Sequence, residues 1–277
     1  MTVRIGAQGG TSMTRKRPTV ADLRARKGKG QMTMLRYFTL DEAAAAEAAL
    51  IDIASVPPAL VSDPRYATAA PGVFAMTGQT HLECPNADDY LRFAAGMIGA
   101  GADAIYCSGS LATVEKLARE HIPTVGHVGL VPSRATWTGG LRAVAKTATA
   151  ALALYDECRR YQEAGAFAVE IEVVPVEVAS AISARLDLLL WSMGAGPGCD
   201  AQYLFAEDIL GENRGHVPRH AKVYRNFAAE YDRLQSERIR AFAEFRDDVA
   251  SGAFPQADHV VSMDPRELAA FLSGVDA

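Results

Sequence analysis

The sequence predicts a (β/α)8 TIM barrel carrying an N-terminal helix and extra C-terminal helices. Short apolar runs alternate with helical patterns, eight such runs can be counted, and 277 residues suit the roughly 250 that repeated βα units use to build one core. The chain is read as one barrel domain over 1–277, with a disordered arm at 1–18, the barrel over about 32–210 and added helices over about 219–277.

The elements follow in order. A helix is expected near Val20–Lys27, then a first strand at Met32–Tyr37. Asp41–Leu50 is alanine-rich, lacks Gly and Pro, and opens on acidic residues suited to a helix N-terminus. The second strand is Ile51–Val56. Pro57, Pro58, Pro64 and Pro71 then break any long helix, so the second crossover is expected to be vestigial before a third strand at Gly72–Gly78. Asn86 can cap a helix over Ala87–Gly99, and the strand Ala104–Ser108 leads into the helix Leu111–His121. Pro123–Leu130 is the fifth strand. The amphipathic stretch Thr147–Ala164, ended by Gly165, feeds a sixth strand at Phe167–Val174. Val176–Leu186 and Leu188–Met193 repeat the alternation, Gln202–Phe205 is the eighth strand, and a helix is expected from Ala221 to about Val249.

Composition narrows the function. Apolar residues at 49% and charged residues at 22% describe an ordinary globular chain. A net charge of −5 leaves no broad cationic face for a phosphate backbone, so no nucleic-acid partner is expected. The local basic run Arg15–Arg17, followed by Arg24, Arg26, Lys27 and Lys29, is read as a solvated arm and helix. No run reaches the roughly 18 apolar residues of a membrane span and no signal pattern opens the chain, so a cytoplasmic protein with no membrane partner is expected. Cys84, Cys107, Cys158 and Cys199 follow no metal or disulfide spacing and are read as free thiols.

Barrel enzymes build their sites at the C-terminal ends of the strands. In Phe167–Val174, alternation puts Glu170 and Glu172 on one face of an apolar strand, with Glu172 nearer the rim. A carboxylate facing the interior loses water, which suits it to take and return a proton near neutrality; a salt-bridged or solvent-reaching pair is the structural alternative. His127 lies in an apolar strand beside Gly126 and Gly129, small neighbours that let a ligand approach its ring; a hydrogen-bonded core histidine is the alternative. Backbone N–H groups of Gly194–Gly198 could cradle a carboxylate or phosphate, or merely form a tight turn.

Several long tokens carry a resemblance: Ile122 to Ser133 (Ile-Pro-Thr-Val-Gly-His-Val-Gly-Leu-Val-Pro-Ser), Gly139-Gly140, Glu163 to Ala168, Glu172 to Ala179, Gly194 to Gly196, Cys199-Asp200, Gly215 to Pro218 and Ala221-Lys222. With these, the chain from about Thr19 to His259 resembles the ketopantoate hydroxymethyltransferases of pantothenate biosynthesis, in the superfamily of phosphoenolpyruvate mutase and isocitrate lyase. The resemblance implies a homo-oligomeric enzyme. It would enolise a 2-oxo acid, the enolate then attacking a one-carbon unit carried on methylenetetrahydrofolate. Glu172 matches the family base and His127 the family histidine at the substrate, while Mg2+ chelated by the substrate's keto and carboxylate oxygens stabilises the enolate.

The departures from that family cluster around the ion. Its Val-Gly-Asp-Ser segment falls on Ala54–Pro58, its Ala-Asp segment on Thr77–Thr80, and its Lys-x-Glu on Tyr106–Ser108, so two metal-binding aspartates, the glutamate and the substrate lysine are missing. Gly139-Gly140 is also followed by Leu141–Val144 in place of the family's Tyr-Lys-Val-Gln. Glu170, His81 and Glu83 are the candidates left for a hard cation, with His81 and Glu83 alternatively plain surface residues. A second reading is a retooled lyase or hydrolase that makes or breaks a carbon–carbon bond beside a carbonyl, with Arg36, Tyr106, Ser108 and Ser192 in place of the cation. Ser55, Gly194 and Gly196 complete the expected substrate-binding set. A third reading is a barrel without catalysis, which the retained interior carboxylate argues against.

Overall fold

The computed structural model describes residues 15–79 and 83–275. Eight parallel strands close in sequence order: β1 Met32–Arg36, β2 Ile53–Val56, β3 Phe74–Gln79, β4 Ala104–Cys107, β5 Thr124–Gly129, β6 Ala168–Glu172, β7 Leu189–Met193 and β8 Ala201–Phe205. Closure is made by β1, whose Met34 sits opposite Ile53 on one side and Tyr203 on the other. The predicted barrel is thus the observed one.

The helices are α1 Val20–Arg24, α2 Leu40–Ala48, α3 Pro58–Val61, α4 Tyr66–Ala69, α5 Ala87–Gly99, α6 Leu111–Arg119, α7 Ala135–Thr138, α8 Ala148–Glu163, α9 Val176–Ser183, α10 Ala206–Leu210, α11 Phe227–Ser251 and α12 Pro265–Val275. Local chemistry explains their starts. Thr39 and Glu42 form a reciprocal capping box for α2, and the Asn86 side chain accepts from the backbone N–H groups of Asp88 and Asp89 at the start of α5. The proline-broken second crossover is reduced to the single turns α3 and α4, with Pro58 at a first-turn position where its missing N–H costs nothing. The long helix expected from Ala221 begins only at Phe227, because the Asn226 side chain caps it by accepting from Ala229 N. The chain divides into two compact units at this point, with the boundary between Arg225 and Asn226.

Alternation along each strand sends one set of side chains inward. Met32, Met34, Ile53, Phe74, Met76, Val125, Leu189, Trp191 and Ala201 pack together in the barrel interior below its C-terminal mouth, with Trp191 edge-on to Phe167 at 5.7 Å. The outward set packs under the helices.

At the opposite end, the basic run is not the solvated arm expected from sequence. Arg15 and Arg26 pair with Asp52, Arg17 with Asp103, and Lys27 with Asp200. The reason is local: each aspartate immediately precedes a strand and accepts from a backbone N–H of the neighbouring strand, Thr33, Ala75 and Leu190 respectively. Three buried or half-buried carboxylates need cations, and the N-terminal segment supplies them.

Candidate active site

A cavity of about 570 Å³ opens at the C-terminal ends of the strands. Its polar lining includes Arg36 from β1, Ser55 from β2, Tyr106 from β4, His127 from β5, Glu170 and Glu172 from β6, and Tyr203 from β8. These are inward positions on their strands. Glu172 lies one pleat above Glu170, and the register places His127 beside Glu170.

The central network is short. His127 Nε2 is 3.0 Å from Glu172 Oε2 and 3.8 Å from Glu170 Oε1, while Nδ1 is 2.5 Å from the Tyr106 hydroxyl. Among the described residues, nothing hydrogen-bonds to the second oxygen of Glu172. Burial alone would lower the His127 pKa, but Glu170 and Glu172 outweigh it and raise the imidazole above its usual 6.5. Nε2–H donates to the Glu172 carboxylate, and in the imidazolium form Nδ1–H donates to the Tyr106 oxygen and leaves the Tyr106 O–H free. Burial pushes Glu170 up, partly countered by His127, and pushes the Tyr106 phenol well above its ordinary value, so Tyr106 keeps its proton.

Across the cavity, Arg36 Nη1 donates to Ser55 Oγ at 3.2 Å, and its guanidinium lies 5.3 Å from the Phe38 ring and 5.7 Å from the Phe205 ring. The buried Tyr203 hydroxyl adjoins both Ser55 and Arg36. Ser108 is turned toward Tyr90, whose hydroxyl is 3.0 Å from its Oγ. Glu83 lies exposed on the cavity rim, and His81 falls outside the described residues.

Three expected ligand-binding positions are not brought to the cavity. Ser192 pairs in register with Ile171 and Gln202, off the interior face of β7, and its Oγ accepts from Ala195 N at 3.0 Å. Gly194 and Gly196 take φ of +70° and +89°, and a Cβ there would meet His220 and Val176, so this segment is a tight turn against its own neighbours. The glycines flanking His127 also serve packing rather than a ligand. A Cβ on Gly126 would lie 2.4 Å from the Tyr161 ring, and one on Gly129 2.4 Å from the Glu172 backbone oxygen.

Tyr203, Phe205 and His220 had no place in the sequence reading. Alternation in β8 would have sent Tyr203 and Phe205 inward with Ala201. His220, half-buried against Gly194 and near enough to Glu172 to feel its charge, sits on an irregular loop that no periodicity locates.

The pattern of the ketopantoate hydroxymethyltransferase family matches residues 80–257. The 3-methyl-2-oxobutanoate hydroxymethyltransferase of Nitratidesulfovibrio vulgaris is 30% identical over 286 residues, covering 93% of this chain and 90% of that protein. The enzyme of the same name from Halalkalibacterium halodurans is 36% identical over 167 residues, and that from Chloroflexus aurantiacus 37% over 180. The chain spans about three fifths of the length of these two relatives, 57% and 61%, while they cover 59% and 64% of it. Among solved structures, an oxaloacetate acetylhydrolase superposes with a TM-score of 0.54 at 12% identity, over 86% of this chain and 98% of that one, which shows the shared barrel.

Proposed function

Since the chain belongs to the ketopantoate hydroxymethyltransferase family, we propose that it enolises a 2-oxo acid and transfers a hydroxymethyl group to it, with Glu172 as the base. The observation that supports this most is the Glu172 carboxylate at the cavity mouth, one oxygen held by His127 and the other unbonded among the described residues. That free oxygen takes the proton from C3. His127 fixes the carboxylate's orientation through its Nε2–H, and the Tyr106 hydroxyl presents its O–H to the oxygen on which enolate charge develops. Water releases the one-carbon unit of methylenetetrahydrofolate as formaldehyde, leaving tetrahydrofolate; the C3 carbanion bonds to the formaldehyde carbon as its C=O π bond breaks, and the alkoxide formed takes a proton back from Glu172 to give the hydroxymethyl group.

The family's magnesium does not fit the residues present. The ends of β2 and β3 offer Ser55, Val56, Gly78 and Gln79, none of which is a carboxylate. His127, Glu170 and Glu172 each bring one donor atom within 4.8 Å of the others, but His127 Nε2 is engaged by Glu172 and Nδ1 by Tyr106, so a cation could use the imidazole only by breaking that network. No step is therefore routed through a cation. Two residues favour a second reading, cleavage of a carbon–carbon bond beside the carbonyl: Arg36 can hold an anion, and buried Glu170, whose pKa is raised, can return a proton.

An assay with 3-methyl-2-oxobutanoate and methylenetetrahydrofolate tests transfer. Hydroxymethylated product supports the first reading; its absence, with cleavage of a 2-oxo acid panel, supports the second. No described helix is long and apolar enough to cross a membrane, and the proposal includes a cytoplasmic homo-oligomer whose mass in sedimentation is a multiple of 29.6 kDa. A monomer at working concentration would contradict that part.

A further inference from the structure

Resting on the 2-oxo-acid reading above, we infer that Arg36 is the carboxylate anchor of this site, and that its guanidinium takes the place of a divalent cation in holding the bound acid and its enolate. Arg36 is the last residue of β1, on the inward side of the strand that carries Met32 and Met34. Its fork is held in advance: Ser55 accepts from Nη1, Tyr203 adjoins it, and the rings of Phe38 and Phe205 lie close to the guanidinium. Among the described residues, no carboxylate lies within ion-pair distance of it. A partly buried arginine with neutral partners is costly to keep unless an anion arrives, and a planar fork matches a carboxylate with two parallel hydrogen bonds.

The charges in the cavity point the same way. Glu172 is already paired with His127 at 3.0 Å, whereas the Arg36 guanidinium has only the Ser55 and Tyr203 hydroxyls and two rings beside it. The charge in the cavity that has a place for an incoming anion is therefore that of Arg36. The topology fits the acid end to end. Strand β1 is separated from β6 by β7 and β8, so Arg36 and Glu172 face the cavity from different sides of the barrel. In a 2-oxo acid, the carboxylate, keto group and acidic C–H occur in sequence. C1 falls to Arg36, the keto oxygen to the Tyr106 hydroxyl, and the C3 proton to Glu172. The apolar lining from Pro57, Pro58, Val131 and Met193 leaves room for a hydrocarbon substituent on C3.

The test uses the full chain after treatment with a chelator. Oxalate, a planar mimic of the enolate, is titrated calorimetrically, and deuterium uptake at C3 of 3-methyl-2-oxobutanoate is followed by NMR with and without excess Mg2+ or Mn2+. The expectation is oxalate binding without metal, weakened about 10- to 100-fold in Arg36→Gln and less in Arg36→Lys, the weight of a charge-assisted fork, with melting curves confirming that both variants fold. Added metal should change affinity by less than about 2-fold, well short of what a chelating cation contributes. Oxalate binding that appears only with metal, or an Arg36→Gln protein that binds as tightly as the parent, overturns the inference. The two readings separate cleanly. Exchange that requires metal overturns the anchor and leaves the enolising function standing, whereas Arg36-dependent oxalate binding with no exchange of any 2-oxo acid keeps the anchor and removes that function.

Discussion

His127 joins the two glutamates to Tyr106, so its titration reports the state of the whole network. Its pKa is raised, and a group raised on folding stabilises the native state fully below its unfolded value, near 6.5, and loses that contribution as pH climbs through the folded value. Buried Glu170, also raised, acts in the same sense. Stability should therefore fall on alkalinisation, and part of that slope should vanish in His127→Gln. NMR of the imidazole should show a midpoint above 6.5 that drops in Glu172→Gln; a midpoint at or below 6.5 in the parent protein would contradict the network. Removing the Tyr106 hydroxyl in Tyr106→Phe strips one partner from the imidazole and one donor from the proposed oxyanion site, so kcat should fall about 10- to 1000-fold with folding intact. The pair Glu172 and His127 was legible in the sequence because strand alternation and long motifs agreed on them. Ser192, expected among the groups replacing the cation, is not at the cavity, since a side chain one residue from the inward Trp191 faces the other way. Arg36 could be named but not its aromatic flank, because Phe205 lies far off in sequence and Phe38 lies just past the end of β1, where strand alternation no longer places it.

At the scale of elements, Gly129 ends β5 with φ of +86° and its backbone packed on Glu172. Gly129→Ala should cost about 1–3 kcal/mol in strain and crowding and should lower activity more than it lowers Tm, because the displaced atom belongs to the residue that carries the base. Equal activity at reduced Tm would show that Glu172 tolerates the shift. The three aspartates before β2, β4 and β8 are the counterpart at the barrel's other end. Asp200, 4% exposed, accepts from Lys27 Nζ and Leu190 N. Asp200→Ala should cost about 2–4 kcal/mol, discounted from the roughly 3–5 of a fully buried pair because Lys27 keeps partial contact with water. A Tm unchanged within 2 °C, against the several degrees that such a loss implies, would contradict the role. Strands were readable as apolar runs and helices by their caps. The staples were not, because an isolated aspartate carries no periodicity and its arginine partners lie far back in the chain.

For the whole molecule, the two ends of one barrel divide the work: the N-terminal end spends its charges on closure, and the C-terminal end gathers Arg36, Tyr106, His127, Glu170 and Glu172 around a cavity. The second unit, α11 and α12, has no buried residues in its helices and carries large apolar side chains such as Ile239, Phe242 and Phe245, a surface suited to the proposed self-association. The barrel was legible because eight apolar runs, most of them separated by helical patterns, constrain one another. The reaction was less so, because the resemblance puts Glu172 at the family's base while the residues that would hold a cation differ. The most direct measurement is deuterium uptake at C3 of 3-methyl-2-oxobutanoate in heavy water, followed by NMR. The parent protein should exchange the proton, and Glu172→Gln, folded and able to bind oxalate, should do so about 100- to 10,000-fold more slowly; exchange at the parent rate in that variant would remove Glu172 from the role of base.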